Sequence, residues 1–252
     1  MIVDADAHVT LTEAGGNNVG NLLHQMDRAG IDRAMIWLQP PYMRDIGQAN
    51  RYVYECARQY SDRLIPFGWS DPHFGVTKAV EEIRRCHEDY GMVGIKLNGA
   101  QNTFYIDDLE TVDPLIAEIA ERDIVLALHI GADFYEFTHP YRAAKIARRY
   151  PKLRMLLAHM GGAGKPDLSN ACIEFACENP NMYLIGSAVS YLQVLKAVKL
   201  LGASRVLFGS DTPFALPRVE VAAYNALLEG EVTANEKENI MGLNLLRILK
   251  IH

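Results

Sequence analysis

Short apolar and β-branched runs alternate with longer amphipathic runs from one end of the chain to the other, and this alternation restricts the fold more than any other feature. Strands are predicted at Ile2 to Val9, Arg33 to Leu38, Leu64 to Trp69, Val93 to Leu97, Ile124 to Ile130, Arg154 to His159, Tyr183 to Ser187 and Val206 to Ser210, eight in all. Between them the pattern predicts helices at Asn18 to Arg28, Ile46 to Tyr60, Val76 to Glu88, Asp108 to Arg122, Tyr141 to Arg149, Leu168 to Glu178 and Tyr191 to Leu201. Two more follow the eighth strand, Val219 to Leu228 and Ala234 to Ile248, the last opened by Thr233 as N-cap with Glu236 three residues on. Repeated βα units of this number in 252 residues predict one (β/α)8 TIM barrel over 1–252. A doubly wound sheet would show a glycine-rich phosphate turn after its first strand and fewer units. The Pro/Gly-rich stretches, Gln39-Pro40-Pro41 and His159 to Pro166, fall where loops are expected and mark no second domain.

Charge narrows the partners. With 25 Lys and Arg against 31 Asp and Glu the chain carries a net charge of −6, which disfavours an electrostatic hold on nucleic acid. Its first residues lack a basic leader and no apolar run nears the roughly 20 residues that span a bilayer, so a cytoplasmic protein with no membrane partner is expected. Cys56, Cys86, Cys172 and Cys177 form no C-x-x-C pair and read as packed, reduced thiols.

A barrel of this kind places its active site at the C-terminal ends of its strands, so the polar residues that end the apolar runs are the candidates. Along the first strand Asp4, Asp6, His8 and Thr10 share a face by parity, predicted to be the interior. The fifth strand ends in His129, the sixth in His159, and Asp211 follows the eighth, so three imidazoles and a carboxylate can converge from four strands. Of the other histidines, His24 and His87 read as surface helix residues, His73 as part of a turn and His252 as the terminus. His139 before Pro140 suits either a site role or a helix entry. Lys96 could hold a substrate carboxylate or pair with Asp4 or Asp6 inside the barrel. Arg51, Asn98 and Tyr105 could bind an anionic or hydroxylated substrate, although surface or loop packing suits each better. Trp37 and Trp69 could wall the pocket or belong to the core.

Other chemistries are excluded by spacing. The Gly161 to Lys165 segment lacks the leading glycine and the final Ser or Thr of a phosphate loop, and no Gly-x-Ser-x-Gly elbow is present. Asp107 and Asp108 read as caps of the helix expected there rather than a glycosidase pair.

The ordered set Asp6-x-His8, Gly94-Ile95-Lys96-Leu97, His129, Leu157-Ala158-His159-Met160-Gly161-Gly162 and Phe208-Gly209-Ser210-Asp211-Thr212-Pro213 resembles the amidohydrolase superfamily, in its amidohydrolase-2 branch of hydrolases, lactonases and nonoxidative decarboxylases. The resemblance implies one divalent metal, zinc or alternatively manganese, held by His8, His129 and Asp211, with His159 in proton transfer and a family-level expectation of a homodimer. Where the family has the second histidine of its first-strand pair this sequence has Thr10, a poorer ligand, unless water, Asp6 or another group completes the site. The leading expectation is hydrolysis of a small carboxylated amide, cyclic amide or lactone by metal-activated water, with Asp211 and His159 catalytic and Lys96, Arg51 and Asn98 toward substrate. The alternatives are a nonoxidative decarboxylase of a small aromatic or unsaturated carboxylate, and a metal-free or lapsed barrel that binds a small molecule.

Overall fold

Parallel strands joined by outer helices make up the computed structural model, which describes residues 1–11, 16–39 and 46–251. The expected Pro40-Pro41 loop and the terminal His252 lie outside the described residues. In chain order the strands are β1 (Val3–Val9), β2 (Arg33–Leu38), β3 (Leu64–Pro66), β4 (Gly68–Trp69), β5 (Gly94–Leu97), β6 (Val125–His129), β7 (Met155–Ala158), β8 (Met182–Ile185) and β9 (Val206–Leu207). The helices are α1 (Val19–Ala29), α2 (Ile46–Gln59), α3 (Val76–Glu88), α4 (Gly99–Asn102), α5 (Asp113–Glu121), α6 (Pro140–Arg149), α7 (Pro166–Glu178), α8 (Tyr191–Leu201), α9 (Pro217–Leu228), α10 (Ala234–Glu238) and α11 (Asn244–Leu249).

The strands form two ladders, β1 to β3 and β4 to β9, and the expected single third strand is broken at Phe67 into β3 and β4. Phe67 still donates its N–H to Ile36 O at 2.8 Å, so the two pieces act as one stave and the barrel has the eight expected. The other seam joins β1 to the segment after β9: Ala5 N–H donates to Phe208 O at 3.0 Å and His8 N–H to Thr212 O at 2.9 Å. A buried carboxylate fastens this seam. Asp4 accepts from Ser210 N at 2.8 Å and from the Ser210 hydroxyl at 2.5 Å, and burial pushes its carboxyl up to about 7.

Apolar residues, Leu foremost, fill most strand positions outside β1 because both faces are buried, one against the interior and one against the helices. Two strand glycines mark close approaches between neighbouring staves. A Cβ at Gly94 would lie 2.3 Å from the Phe67 ring and 2.6 Å from Val125 O, and one at Gly68 would lie 2.7 Å from Ile95.

Three expectations need correction. The helix expected from Asp108 begins at Asp113, because the Asp108 carboxylate accepts from Glu110 N, Thr111 N and the Thr111 hydroxyl and so holds a turn there. Asp107 caps nothing and instead pairs with Arg142 at 2.6 Å and Lys145 at 2.5 Å. The final helix has the expected capping box at Thr233 and Glu236 but is interrupted by a π turn at Asn239–Leu243, where Ile240 O accepts the N–H of Phe208. The chain there bends to close the barrel floor.

Candidate active site

His8, near the end of β1, His129, the last residue of β6, His159, just past β7, and Asp211, beyond β9, all line one cavity of about 190 Å³. The four residues expected to converge therefore do so. A larger groove of about 570 Å³, between Ile124 and Leu153, lies at the opposite end of the strands. Its volume brings no comparable set of imidazoles and carboxylates together, so chemistry rather than size selects the site.

Hydrogen-bond partners assign the tautomers. His159 Nδ1 faces Ser187 O, which can only accept, at 3.2 Å. Its neutral ring then accepts at Nε2, so His129 Nδ1, 3.2 Å away, donates. That leaves His129 Nε2 as a bare lone pair, buried and without a hydrogen-bond partner. His8 follows the same pattern: Nδ1 donates to Leu38 O at 2.9 Å, and Nε2 accepts the indole N–H of Trp37 at 3.1 Å.

Asp6 is the residue whose place in the site was least legible. Fully buried between His8 and His159, it sets Oδ1 at 3.5 Å from His8 Nε2 and accepts the Ser187 hydroxyl at Oδ2, 2.5 Å away. Its Oδ1 has no hydrogen-bond partner. Asp211 Oδ1 lies 3.6 Å from the same His8 nitrogen. Ligand atoms of Asp6, His159 and Asp211 all lie within 4.8 Å of one another.

Two buried acceptors on this cluster have no hydrogen-bond partner, Asp6 Oδ1 and the bare His129 Nε2, while the His8 Nε2 takes the Trp37 N–H. Orphaned acceptors of this kind fit a divalent cation, and the His8 and His129 rings each have Nδ1 fixed by a partner. Asp6, not Thr10, stands beside His8 as the additional oxygen. Thr10 is half-buried, donates its backbone N–H to Asn17 O at 3.1 Å and is not part of the cavity wall.

Electrostatics bind the cluster together. Burial would raise the Asp6 carboxyl, but the Lys96 ammonium and the His8 and His159 rings outweigh it and hold it well below the usual range. Burial would lower His8, yet Asp211 and Asp6 outweigh it and raise it. Burial, with His159 and Lys96 nearby, pushes His129 well down. Both His159 and Asp211 hold left-handed backbone, φ 62° and 59°, a strain of roughly 1 kcal/mol or more for each that the surrounding contacts sustain.

The substrate-facing candidates separate. Lys96 lies beneath the cavity, paired with Asp6 at 3.9 Å. Asn98 caps α4 through its side-chain oxygen, leaving a buried Nδ2 without a partner. Arg51 is turned to solvent on α2, 70% exposed and paired with Glu55, so the structure does not bring it to the cluster. Tyr105 is exposed beside Phe137, and His139 is the N-cap of α6. Trp37 and Trp69 are fully buried, the first in contact with both His8 and Lys96. The wall also carries Gln101, on the short α4, and Asp133 and Phe214, on loops, which the strand-end rule did not reach because they lie beyond the strand ends. The Phe214 ring packs edge-on against His8 at 5.5 Å.

Known proteins agree with this frame. The chain is 25% identical to a 2-amino-3-carboxymuconate-6-semialdehyde decarboxylase of Dictyostelium discoideum, over 84% of this chain and 68% of that one. It is 26% identical to a gamma-resorcylate decarboxylase of a Rhizobium species over 76% of each. Its fold matches the structure of a 5-carboxyvanillate decarboxylase from Novosphingobium aromaticivorans, complexed with manganese and 4-hydroxy-3-methoxy-5-nitrobenzoic acid, with a TM-score of 0.79 at 18% identity over 100% of this chain and 96% of that one. The amidohydrolase family model described as Amidohydro_2 matches residues 3–251. The chain belongs to the amidohydrolase-2 branch of the amidohydrolase superfamily, and it is an enzyme.

Proposed function

We propose that this protein is a metal-dependent, nonoxidative decarboxylase of a small aromatic or unsaturated carboxylic acid. The observation that carries the reading is the similarity to decarboxylases over 76–84% of the chain. It favours carbon dioxide release over the hydrolysis of an amide or lactone that the strand-end residues alone suggest. The small cavity, about 190 Å³, suits a single-ring substrate.

Asp6, His129 and Asp211 would hold the ion, with His8 joining them where its Nε2 is released from the Trp37 N–H. Two carboxylates beside two imidazoles, with no thiolate, suit manganese as well as zinc. When bound, a divalent ion supplies Lewis-acid attraction for the substrate carboxylate and a neighbouring oxygen. In the reaction the bond between ring carbon and carboxylate breaks, its electron pair stays on the ring carbon, and a proton takes the vacated place. Asp211 is the acid that can reach the cavity, its Oδ1 3.6 Å from His8 Nε2. The His129–His159–Ser187 chain fixes the ring orientations and offers a route for a replacement proton from the barrel interior. Phe214, edge-on to His8, forms part of the cavity wall beside the reacting groups.

Asp211→Asn tests the assignment, since Asn keeps the shape and tolerates left-handed backbone. Turnover should fall by at least about a thousandfold while the fold and the binding of an unreactive carboxylate persist. Turnover within tenfold of the wild type would remove Asp211 from the proton transfer.

A further inference from the structure

Lys96 is 1% exposed in the barrel interior, and its ammonium has a built seat. The nitrogen lies 3.4 Å from the centroid of Trp37, 5.5 Å from that of Trp69 and 3.9 Å from Asp6 Oδ1. Both aromatic faces are locked. Trp37 is tied by its N–H to His8 and packs edge-on against Phe67 at 6.0 Å, and Trp69 donates its N–H to Asn102 Oδ1 at 3.0 Å. The lysine backbone is laddered on both sides, to Trp69 and to Ala127. A buried ammonium is costly unless paired, and two π faces with a carboxylate supply that pairing.

We propose that Lys96 is a fixed counter-charge of the acceptor cluster, a positioning residue that weakens the hold on the divalent ion and strengthens the hold on an anionic substrate. The inference rests on the metal-dependent reading above. Asp6 and Asp211 contribute two negative charges and Lys96 one positive, so the cluster is singly negative with neutral imidazoles. With Asp133 exposed to solvent at the mouth, one divalent ion then leaves the buried cluster singly positive, complementary to one carboxylate. Without the lysine charge the same ion would be held by a doubly negative cluster and would leave a neutral site. Like charges within a few ångströms in a buried site interact strongly, so the effect is large enough to measure.

The test is the affinity of the full chain for Mn²⁺ alone and, with the ion saturating, for benzoate, in the wild type and in Lys96→Met. Mn²⁺ should bind at least about tenfold more tightly in the variant and benzoate at least about fivefold more weakly. Shifts of opposite sign are the signature that lost packing does not produce. Lys96→Gln makes the same comparison should the methionine variant not fold, and Lys96→Arg, which keeps the charge, should restore both affinities to within about threefold. Affinities that fall together, or an Mn²⁺ affinity that stays put, would overturn the proposal. A folded wild-type chain that binds neither Mn²⁺ nor Zn²⁺ would instead overturn the metal-dependent reading.

Discussion

At the scale of single residues, His8, His129, His159 and Asp211 were legible because each ends an apolar run, and the structure puts them on one cavity wall. Asp6 was less so. A carboxylate inside a strand reads equally as a partner for a buried lysine, and in the structure Asp6 is that partner as well as a neighbour of His8. On the proposed reading Asp6 supplies the ligand that the missing imidazole at Thr10 leaves open. Asp6→Asn should weaken Mn²⁺ affinity by about 10- to 100-fold, whereas Thr10→Ala should leave it within about twofold, as equilibrium dialysis would register. Equal losses in the two variants would return Thr10 to the site. Arg51 could not be placed from sequence because the direction of a long side chain on a helix is set by a neighbour, here Glu55 one turn on.

Among the elements, the eight staves and most helices follow from the alternation of apolar and amphipathic runs, and what the pattern misses is set by side chains that capture backbone groups. Asp108 turns the start of a helix into a loop, and the Phe208 N–H bonded to Ile240 O accompanies the break before α11. Neither effect has a period to read. The stave packing is equally specific at Gly94, where an added methyl would strike a backbone carbonyl that its ladder holds in place. Gly94→Ala should cost about 3 kcal/mol in denaturant unfolding, and a loss below about 0.5 kcal/mol would show the ladder to be looser than described. Asp107 ties the loop before α5 to α6 through Arg142 and Lys145. Burial alone would raise its carboxyl, but those two cations hold it below the usual range. A depressed acid stabilises the fold above its unfolded value, near 3.8, and loses that contribution as pH falls through its folded value. Because both cations are partly solvated, Asp107→Asn should cost only about 1 kcal/mol at pH 7, and the gap from the wild type should close as the pH falls below 3.8 and through the folded value. A gap that persists there would assign the loss to packing.

Taken as a whole molecule, the barrel separates stability from chemistry, with its titratable cluster at the C-terminal ends of the strands. No helix among the described residues is long and apolar enough to cross a membrane. A cluster of unpartnered buried acceptors is a source of instability that a bound cation relieves, so saturating Mn²⁺ should raise the thermal midpoint by several degrees and EDTA should reverse the gain. An unchanged midpoint in a protein that retains Mn²⁺ would mean the acceptors are already satisfied. What sequence pattern could not choose was the reaction, since metal-activated hydrolysis and decarboxylation ask for the same imidazoles and carboxylates, and it is the similarity to decarboxylases that supports the proposed reading. The most direct test is to incubate the Mn²⁺-loaded enzyme in D₂O with a panel of hydroxybenzoates and unsaturated carboxylates, alongside lactones and amides, following carbon dioxide and product mass. The account predicts carbon dioxide from at least one carboxylate, with a single deuterium at the vacated carbon and no turnover of the lactones or amides. Hydrolysis of a lactone or amide without carbon dioxide from any carboxylate would contradict it.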